Sequence, residues 1–393
     1  MSRTFKSLRH RNFALYCAGI AASLTGSWMQ SVAIAWVAFS LTGSPAVLGM
    51  VAFATLVPTI AFSLPAGWIA ARYDRRRILL FTQAIAMLQA AALVYLTVTG
   101  QVQIWQLLAL SSVLGGLIAF ELAARFPLIA ELVEKDELMN ACSLDSFLFY
   151  TARAAGPAVG GVLLGLFGAS VCFGINVASY AIEIVTLLLI RKPPSIRRES
   201  GGDLKETLAF FWRPGNRAVM ALMSLTSLFA VYLALMPVFA KNILHGSATT
   251  LGALVAASEV GALLASLWLA RRPNDSGLTR PLGVAALAMS ILLVGFCLST
   301  SLWLSLALLV GVGFALTVVL MGAHGMMQVS VSDELRGMMA SLFWMINLGL
   351  QSIGALLLGW LAESFGAPWM LITGASICLV GGWFYLLKTR AAA

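Results

Sequence analysis

Twelve apolar stretches, each about as long as a bilayer is thick, are separated by short breaks that carry charge, glycine or proline. An α-helix needs about 20 apolar residues to cross the hydrocarbon core. The stretches fall at roughly 13–40, 45–71, 77–99, 104–126, 138–166 and 168–190, then at roughly 217–240, 249–271, 280–300, 302–330, 337–362 and 367–388. Composition agrees. Of 393 residues, 60% are hydrophobic and 10% are charged, with a mean hydropathy of +0.92. A soluble domain carries about 25% charged residues, and far fewer cannot coat a water-soluble globule. The chain reads as an all-α membrane protein with 12 transmembrane helices. That excludes a soluble enzyme, a nucleic-acid-binding domain and a disordered scaffold.

The charges orient the helices. The net charge is +9, which in a soluble protein would point to nucleic acid. Here the basic residues mark one side of the membrane. Every Lys and Arg except Lys241 and Arg153 falls at a terminus or in an even-numbered gap between stretches. Positive residues concentrate on the cytoplasmic side, so both termini are expected there. Arg3, Lys6, Arg9 and Arg11 precede an apolar run too long for a secretory signal, so that run is expected to be a retained first helix.

The chain also repeats. Lys135-Asp136-Glu137-Leu138 precedes the fifth stretch, and Ser332-Asp333-Glu334-Leu335 precedes the eleventh. Gly161 and Gly165 pair with Gly354 and Gly359, and Ile69-Ala-Ala-Arg72 with Leu269-Ala-Arg-Arg272. The offsets are about half the chain, as in secondary transporters built from two related halves. The expected division is a six-helix half at 1–190, a cytoplasmic linker at 191–216 and a second six-helix half at 217–393. The stretch from Asp203 to Trp212 is expected to form a short amphipathic helix on the inner membrane surface.

Five cysteines (Cys17, Cys142, Cys172, Cys297 and Cys378) lie far apart within apolar runs. Without C-x-x-C or zinc spacing, they read as packing residues, and no metal or cofactor is expected.

Three motifs resemble the major facilitator superfamily, in particular its bacterial twelve-helix, proton-coupled siderophore (enterobactin-type) and multidrug exporters. After the second stretch comes Gly67-Trp-Ile-Ala-Ala-Arg-Tyr-Asp-Arg-Arg-Arg77, similar to the family's G-x-x-x-D-R-x-G/D-R-R-R. The resemblance assigns Gly67, Arg72, Asp74, Arg76 and Arg77 to a cytoplasmic gate, with Arg125. Ala71 stands where the family has an acidic residue, leaving Asp74 as a substitute or the gate weaker. Phe120-Glu-Leu-Ala-Ala-Arg125 and its sequel Glu131-Leu-Val-Glu-Lys-Asp-Glu-Leu-Met-Asn-Ala141 resemble F-D-x-P-A-R and L-V-P-x-E-x-L-x-N-A. Arg153-Ala-Ala-Gly-Pro-Ala-Val-Gly-Gly161 resembles the exporter motif G-P-x-x-G-G. Gly156, Gly160 and Gly161 give the fifth helix a face for close approach, and Pro157 removes one helical hydrogen bond and invites a kink. Static packing and a sliding seal both fit that face. The resemblance further implies two pseudo-symmetric halves, a working monomer and residence in a bacterial inner membrane.

Ionisable side chains inside the membrane are costly and are functional candidates. Glu121 and Arg125 lie four apart and can pair on one face, as a structural or gating ion pair. Asp145 lies about two turns into the fifth helix and is a proton-coupling candidate; the alternative is a solvated residue near the inner vestibule. Arg153 is too far along the same helix to touch it. Glu259, near the middle of the eighth stretch, is a second coupling candidate. The resemblance implies a lipid-facing sixth helix, from which Glu183 is expected to snorkel toward the inner interface. His324 could titrate, although a packing role fits a lone histidine equally. Gln30, Arg153, Gln328, Asn347 and Gln351 are candidate cavity residues.

No phosphate-binding G-x-x-x-x-G-K-[ST] occurs, so the energy must come from a gradient. The expected function is proton-coupled export of a small amphipathic drug-like or siderophore-like compound by alternating access. Twenty-one Phe, 11 Trp and 16 Met supply soft apolar walls suited to such cargo. The alternatives are a uniporter or importer, and a non-transporting membrane receptor. An intramembrane enzyme would need a compact nucleophile–base or metal constellation, and none is legible.

Overall fold

The computed structural model describes residues 3–191, 204–229, 231–272, 277–332 and 335–391. Residues 192–203 of the expected linker, and Asp333 and Glu334 of the repeated Asp-Glu-Leu, lie outside them. Among the described residues there are helices and no strands. The first six spans are α1 (Arg11–Thr42), α2 (Pro45–Arg72), α3 (Arg75–Val98), α4 (Ile104–Leu132), α5 (Leu138–Phe167) and α6 (Ala169–Leu189). A short α7 (Leu204–Phe211) stands where the amphipathic helix was expected.

The seventh span is not the continuous helix expected at 217–240. It comprises α8 (Pro214–Phe229), a 3₁₀ turn (Tyr232–Leu235), α9 (Met236–Val238) and a π-helical turn (Phe239–Ile243). Pro237 contributes, because it has no backbone N–H to continue a preceding helix. Then follow α10 (Ala248–Ala270), α11 (Thr279–Leu298), α12 (Leu302–Ser330), α13 (Arg336–Phe365) and α14 (Ala367–Ala391). Among the described residues, twelve spans are thus long and apolar enough to cross a membrane.

Large apolar side chains cover the outside: Leu64, Phe81, Met139, Leu166, Ile291 and Trp360 are all well exposed. Water would not tolerate so much apolar surface, whereas lipid does. Trp105, Trp303 and Trp369 are exposed within the first turn of α4, α12 and α14.

Two compact units emerge: Met1–Leu41, Ala54–Glu199 and Ser247–Gly252 in the first; Thr42–Phe53, Ser200–Gly246 and Ala253–Ala393 in the second. In the first, α3 packs along α4 and α6, and Phe13, Ile20, Leu79, Leu128, Ile129 and Leu187 form the core. In the second, α11 packs along α12 and α14, and α8 against α13 and α14.

Each unit contains the same glycine crossings. In the first, Gly115 lies on the Thr55 carbonyl, Gly156 on the Thr25 carbonyl and Gly161 on Gly252. In the second, Gly313 lies on the Ser258 carbonyl, Gly354 on the Leu228 carbonyl and Gly359 on Gly49. Each glycine of the first set and its counterpart are 198 positions apart. Gly168 (φ 83°) ends α5 and Gly366 (φ 86°) ends α13, again 198 apart. A left-handed residue is easiest for glycine, which has no Cβ to clash.

A Cβ at Gly115 would collide with backbone, which cannot yield as a side chain can, whereas one at Gly67 would meet nothing within 4 Å. Gly115→Val should therefore cost at least the ~1–3 kcal/mol of overpacking. Gly67→Ala should leave thermal stability unchanged or slightly raised. Thermal unfolding of the detergent-solubilised variants checks both; equal melting temperatures would contradict the crossing.

Candidate functional site

The polar residues of the first unit gather into three layers. At the end bearing the chain's N-terminus, the first two motifs interlock. The Asp74 carboxylate caps α3, accepting from the backbone N–H groups of Arg76 (3.0 Å) and Arg77 (3.4 Å). Arg76 donates to the carbonyls of Leu187 (2.6 Å) and Leu188 (2.8 Å) at the end of α6, which satisfies acceptors a helix end leaves open. The Arg77 side chain is exposed and lies 3.9 Å from Asp74. Arg72 is exposed and stacks over Trp68 at 3.8 Å. Asp74 thus caps its own helix terminus, three residues beyond Ala71. The buried ion pair of this layer is Arg75–Glu131, neither of which was among the residues assigned to the gate. The sequel to the second motif holds the N-terminal segment: Lys6 pairs with Glu137 (3.0 Å) and Asp136 (3.2 Å), and His10 contacts Glu137 at 2.9 Å. The Ser7 hydroxyl donates to Asn140 at 2.7 Å. The bonds to Glu137 and Asp136 raise the Lys6 ammonium above its ordinary pKa.

Deeper in the unit, Arg125 of α4 reaches across to Asp145 of α5. Its Nη2 and Nε donate to Asp145 Oδ1 at 2.9 and 3.1 Å. The Tyr16 hydroxyl of α1 donates to the same oxygen at 2.8 Å and accepts from Arg125 Nε at 3.1 Å. All three side chains are buried, Asp145 being 2% exposed. Two expectations change here. Arg125 bonds across helices to Asp145 and not back along α4 to Glu121. Asp145 is enclosed by Tyr16 and Arg125 and is not a solvated residue. Glu183 is a third correction: it is 1% exposed, turned into the unit instead of snorkelling.

A third layer is uncharged. Gln30 of α1 donates to Gln89 of α3 (3.1 Å) and accepts from Asn176 of α6 (2.9 Å). Ser179 donates to Asn176 (2.8 Å), and Gln89 to the Leu110 carbonyl (3.3 Å). Gln30 is fully buried, so its amide ties three helices together. Further along α5, the Arg153 guanidinium lies 5.1 Å from the Trp28 ring centroid, a cation–π distance. Gly156 meets Trp28 and Thr25, Gly160 meets Met29, and the Pro157 carbonyl faces Gly252. The exporter-like motif is therefore a packing seam against α1 and the first turns of α10.

In the second unit, the Gln328 amide donates to His324 Nε2 (3.3 Å), and that ring is flanked by Phe343 (5.1 Å) and Trp344 (5.6 Å). Asn347 donates to Ser227 (2.7 Å) and accepts from Gln351 (2.9 Å). Glu259 is buried beside Ser258, whose hydroxyl lies 2.6 Å from that of Tyr232. Among the described residues no group of His, Cys, Asp or Glu is placed to hold a metal.

Sequence reasoning missed Tyr16, Asn176, Gln89, Tyr232 and Ser258. Asn176 and Gln89 carried a usable signal, since an amide within an apolar span demands a partner. Tyr16 carried none, because tyrosine is at home in an apolar run.

Similarity to known proteins agrees with this architecture. A family model described as transmembrane secretion effector, of the major facilitator class, matches residues 2–392. The staphyloferrin A transporter of Staphylococcus aureus is 24% identical over 372 residues, covering 93% of each chain. Macrolide efflux protein A of Streptococcus pyogenes is 23% identical over 386 residues, covering 92% of each. Among solved structures, a bacterial homologue of the human lysosomal transporter Spinster superposes with a TM-score of 0.77 at 15% identity, over 97% of each chain.

Removing one member of a buried ion pair strands the other and costs about 3–5 kcal/mol. Arg125→Leu and Asp145→Leu should each lower stability by that order, and the double variant should recover most of the loss. A double-mutant cycle on thermal unfolding reads the coupling; additive losses would mean the two side chains act independently.

Proposed function

Because the chain belongs to the transmembrane secretion effector family of the major facilitator superfamily, and is a membrane transporter, we propose that it exports a small amphipathic compound in exchange for protons. The observation that carries the coupling is the enclosed Arg125–Asp145–Tyr16 contact. A proton arriving on Asp145 removes the charge that holds Arg125, so protonation and opening of the α4–α5 contact become one event. The enclosing helices exclude water, which makes the pair sensitive to a single charge. One proton moved through 100 mV supplies about 2.3 kcal/mol, enough for a roughly 50-fold substrate gradient.

Transport proceeds in this reading by alternating access, with residues 1–190 and 217–393 as the two working halves and the linker joining them. Both termini face the cytoplasm of a bacterial inner membrane, and one copy suffices. The layer around Asp74, Arg76, Arg77 and Arg75 closes the cytoplasmic side, and Glu121 supports the charge switch. Glu259 is the coupling candidate of the second half. Arg153, Gln328, His324 and Gln351 are the groups proposed to meet cargo. The substrate class follows from the relatives, one named for a siderophore and one for a macrolide, and from the scarcity of charge within the spans.

Inverted membrane vesicles test the proposal. A lipophilic cationic dye, a macrolide and a siderophore are offered under an imposed pH gradient. Wild-type vesicles should accumulate at least one of them, and Asp145→Asn should lose the gradient-dependent part. Glu259→Gln measures the share of the second half. Accumulation indifferent to the pH gradient would refute proton coupling and leave a uniporter.

A further inference from the structure

Glu183 is used by neither the ion pair nor the amide layer. It lies on α6, six residues from the helix end at Leu189, hence about 9 Å inside at 1.5 Å per residue. It is 1% exposed, and neither carboxyl oxygen has a hydrogen-bond partner. Its backbone stands against α1, where a Cβ at Gly19 would come within 3.2 Å of the Glu183 Cα. The absence of a side chain at Gly19 lets α6 approach this closely.

The ionisable groups around it are few. From α4 come Glu121 and Arg125, within Coulombic reach. From α5 comes Asp145, which holds Arg125 at 2.9 Å. From α1 come Tyr16, bonded to the same pair, and Ser23, which approaches Glu183 without closing a hydrogen bond. The charges of α3 are confined to Arg75, Arg76 and Arg77; Arg75 pairs with Glu131 and Arg76 caps Leu187 and Leu188. On α6 itself, one turn away, Tyr180 shares its hydroxyl with Ser27 at 3.0 Å. One guanidinium thus faces three carboxyls and already has its partner in Asp145. Ionising Glu183, which is 1% exposed with both oxygens unpartnered, beside a half-buried Glu121 would leave an uncompensated negative charge in a water-excluded interior, which is far costlier than keeping a proton.

We propose that Glu183 is a proton-binding residue of this transporter, holding a proton in the resting state and working with Glu121 as the store from which the Arg125–Asp145 pair is switched. This rests on the proton-coupled reading above and names a residue on a helix where none was expected. In loading, a proton from water adds to a Glu183 carboxylate oxygen and gives the neutral acid. In release, that O–H bond breaks, the proton returns to water, and a carboxylate remains. Negative charge on the Glu121–Glu183 side then competes with Asp145 for the single guanidinium. Glu121 is suited to receive Arg125, since the two are four residues apart on α4.

Two readouts test this on the full-length protein in liposomes. The first is the infrared carbonyl band of neutral carboxylic acids, followed through a pH titration with no cargo present. Wild type should show the band at neutral pH; Glu183→Gln should lose a resolved component, and Glu183→Asp should restore it. The second is accumulation of a lipophilic cationic dye. For one proton per dye, a gradient of one pH unit sustains roughly tenfold accumulation. Glu183→Gln, an isosteric neutral variant, should reduce that to no accumulation while downhill movement continues. An unchanged band in Glu183→Gln, or a band lost in Glu121→Gln alone, would overturn the assignment. So would full gradient-driven accumulation by Glu183→Gln. A band lost as expected in a protein that moves no dye under any gradient would uphold the proton site and count against the dye-export reading.

Discussion

Lipid gives these helices no hydrophobic reason to associate, so each unit depends on backbones approaching closely at glycine and on a limited set of buried polar contacts. The crossings of Gly115 on Thr55 and of Gly313 on Ser258 have no room for a Cβ. Where helices come that near, dispersion acts between whole backbones. The same positions recur 198 residues on, at Gly156 and Gly354, and at Gly161 and Gly359. One packing solution is used twice. The left-handed glycines that end α5 and α13 keep the same spacing.

Polar groups are then added where that packing can enclose them. The uncharged layer of Gln30, Gln89 and Asn176 is satisfied within the first unit and adds rigidity. The Arg125–Asp145–Tyr16 contact differs, because it holds charge. A buried ion pair contributes little net stability, yet losing either member is expensive. Such a contact is suited to the switching proposed above, in which one proton would change which arrangement is favoured. Two further carboxyls near one guanidinium make the charge count of this region its governing feature.

Much of the fold was legible in the residues. Span length and the placement of Lys and Arg are local properties, and the twelve helices follow from them with boundaries correct to a few residues. The break in the seventh span was not, since Pro237 alone does not say whether a helix bends or stops. The repeat was visible as scattered Asp-Glu-Leu and glycine pairs, but the packing matches Gly156 to Gly354 and Gly161 to Gly359, not Gly161 to Gly354 as the sequence pairing had it.

For the site, sequence supplied the inventory and the tertiary structure supplied the partners. The cost of burying charge singled out Asp145, Glu121, Arg125 and Glu259 from their residue types alone, because that cost belongs to the group itself. Sequence also determined the class of the protein, since a chain with so few charges has lipid as its solvent. Partnership is a property of facing helices, and helix rotation about its own axis is not encoded in any one span. Arg125 therefore chose Asp145 over the nearer Glu121, Asp74 was committed to its own helix terminus, and Glu183 was turned inward. Only packing decides which face of a uniformly apolar helix looks at lipid.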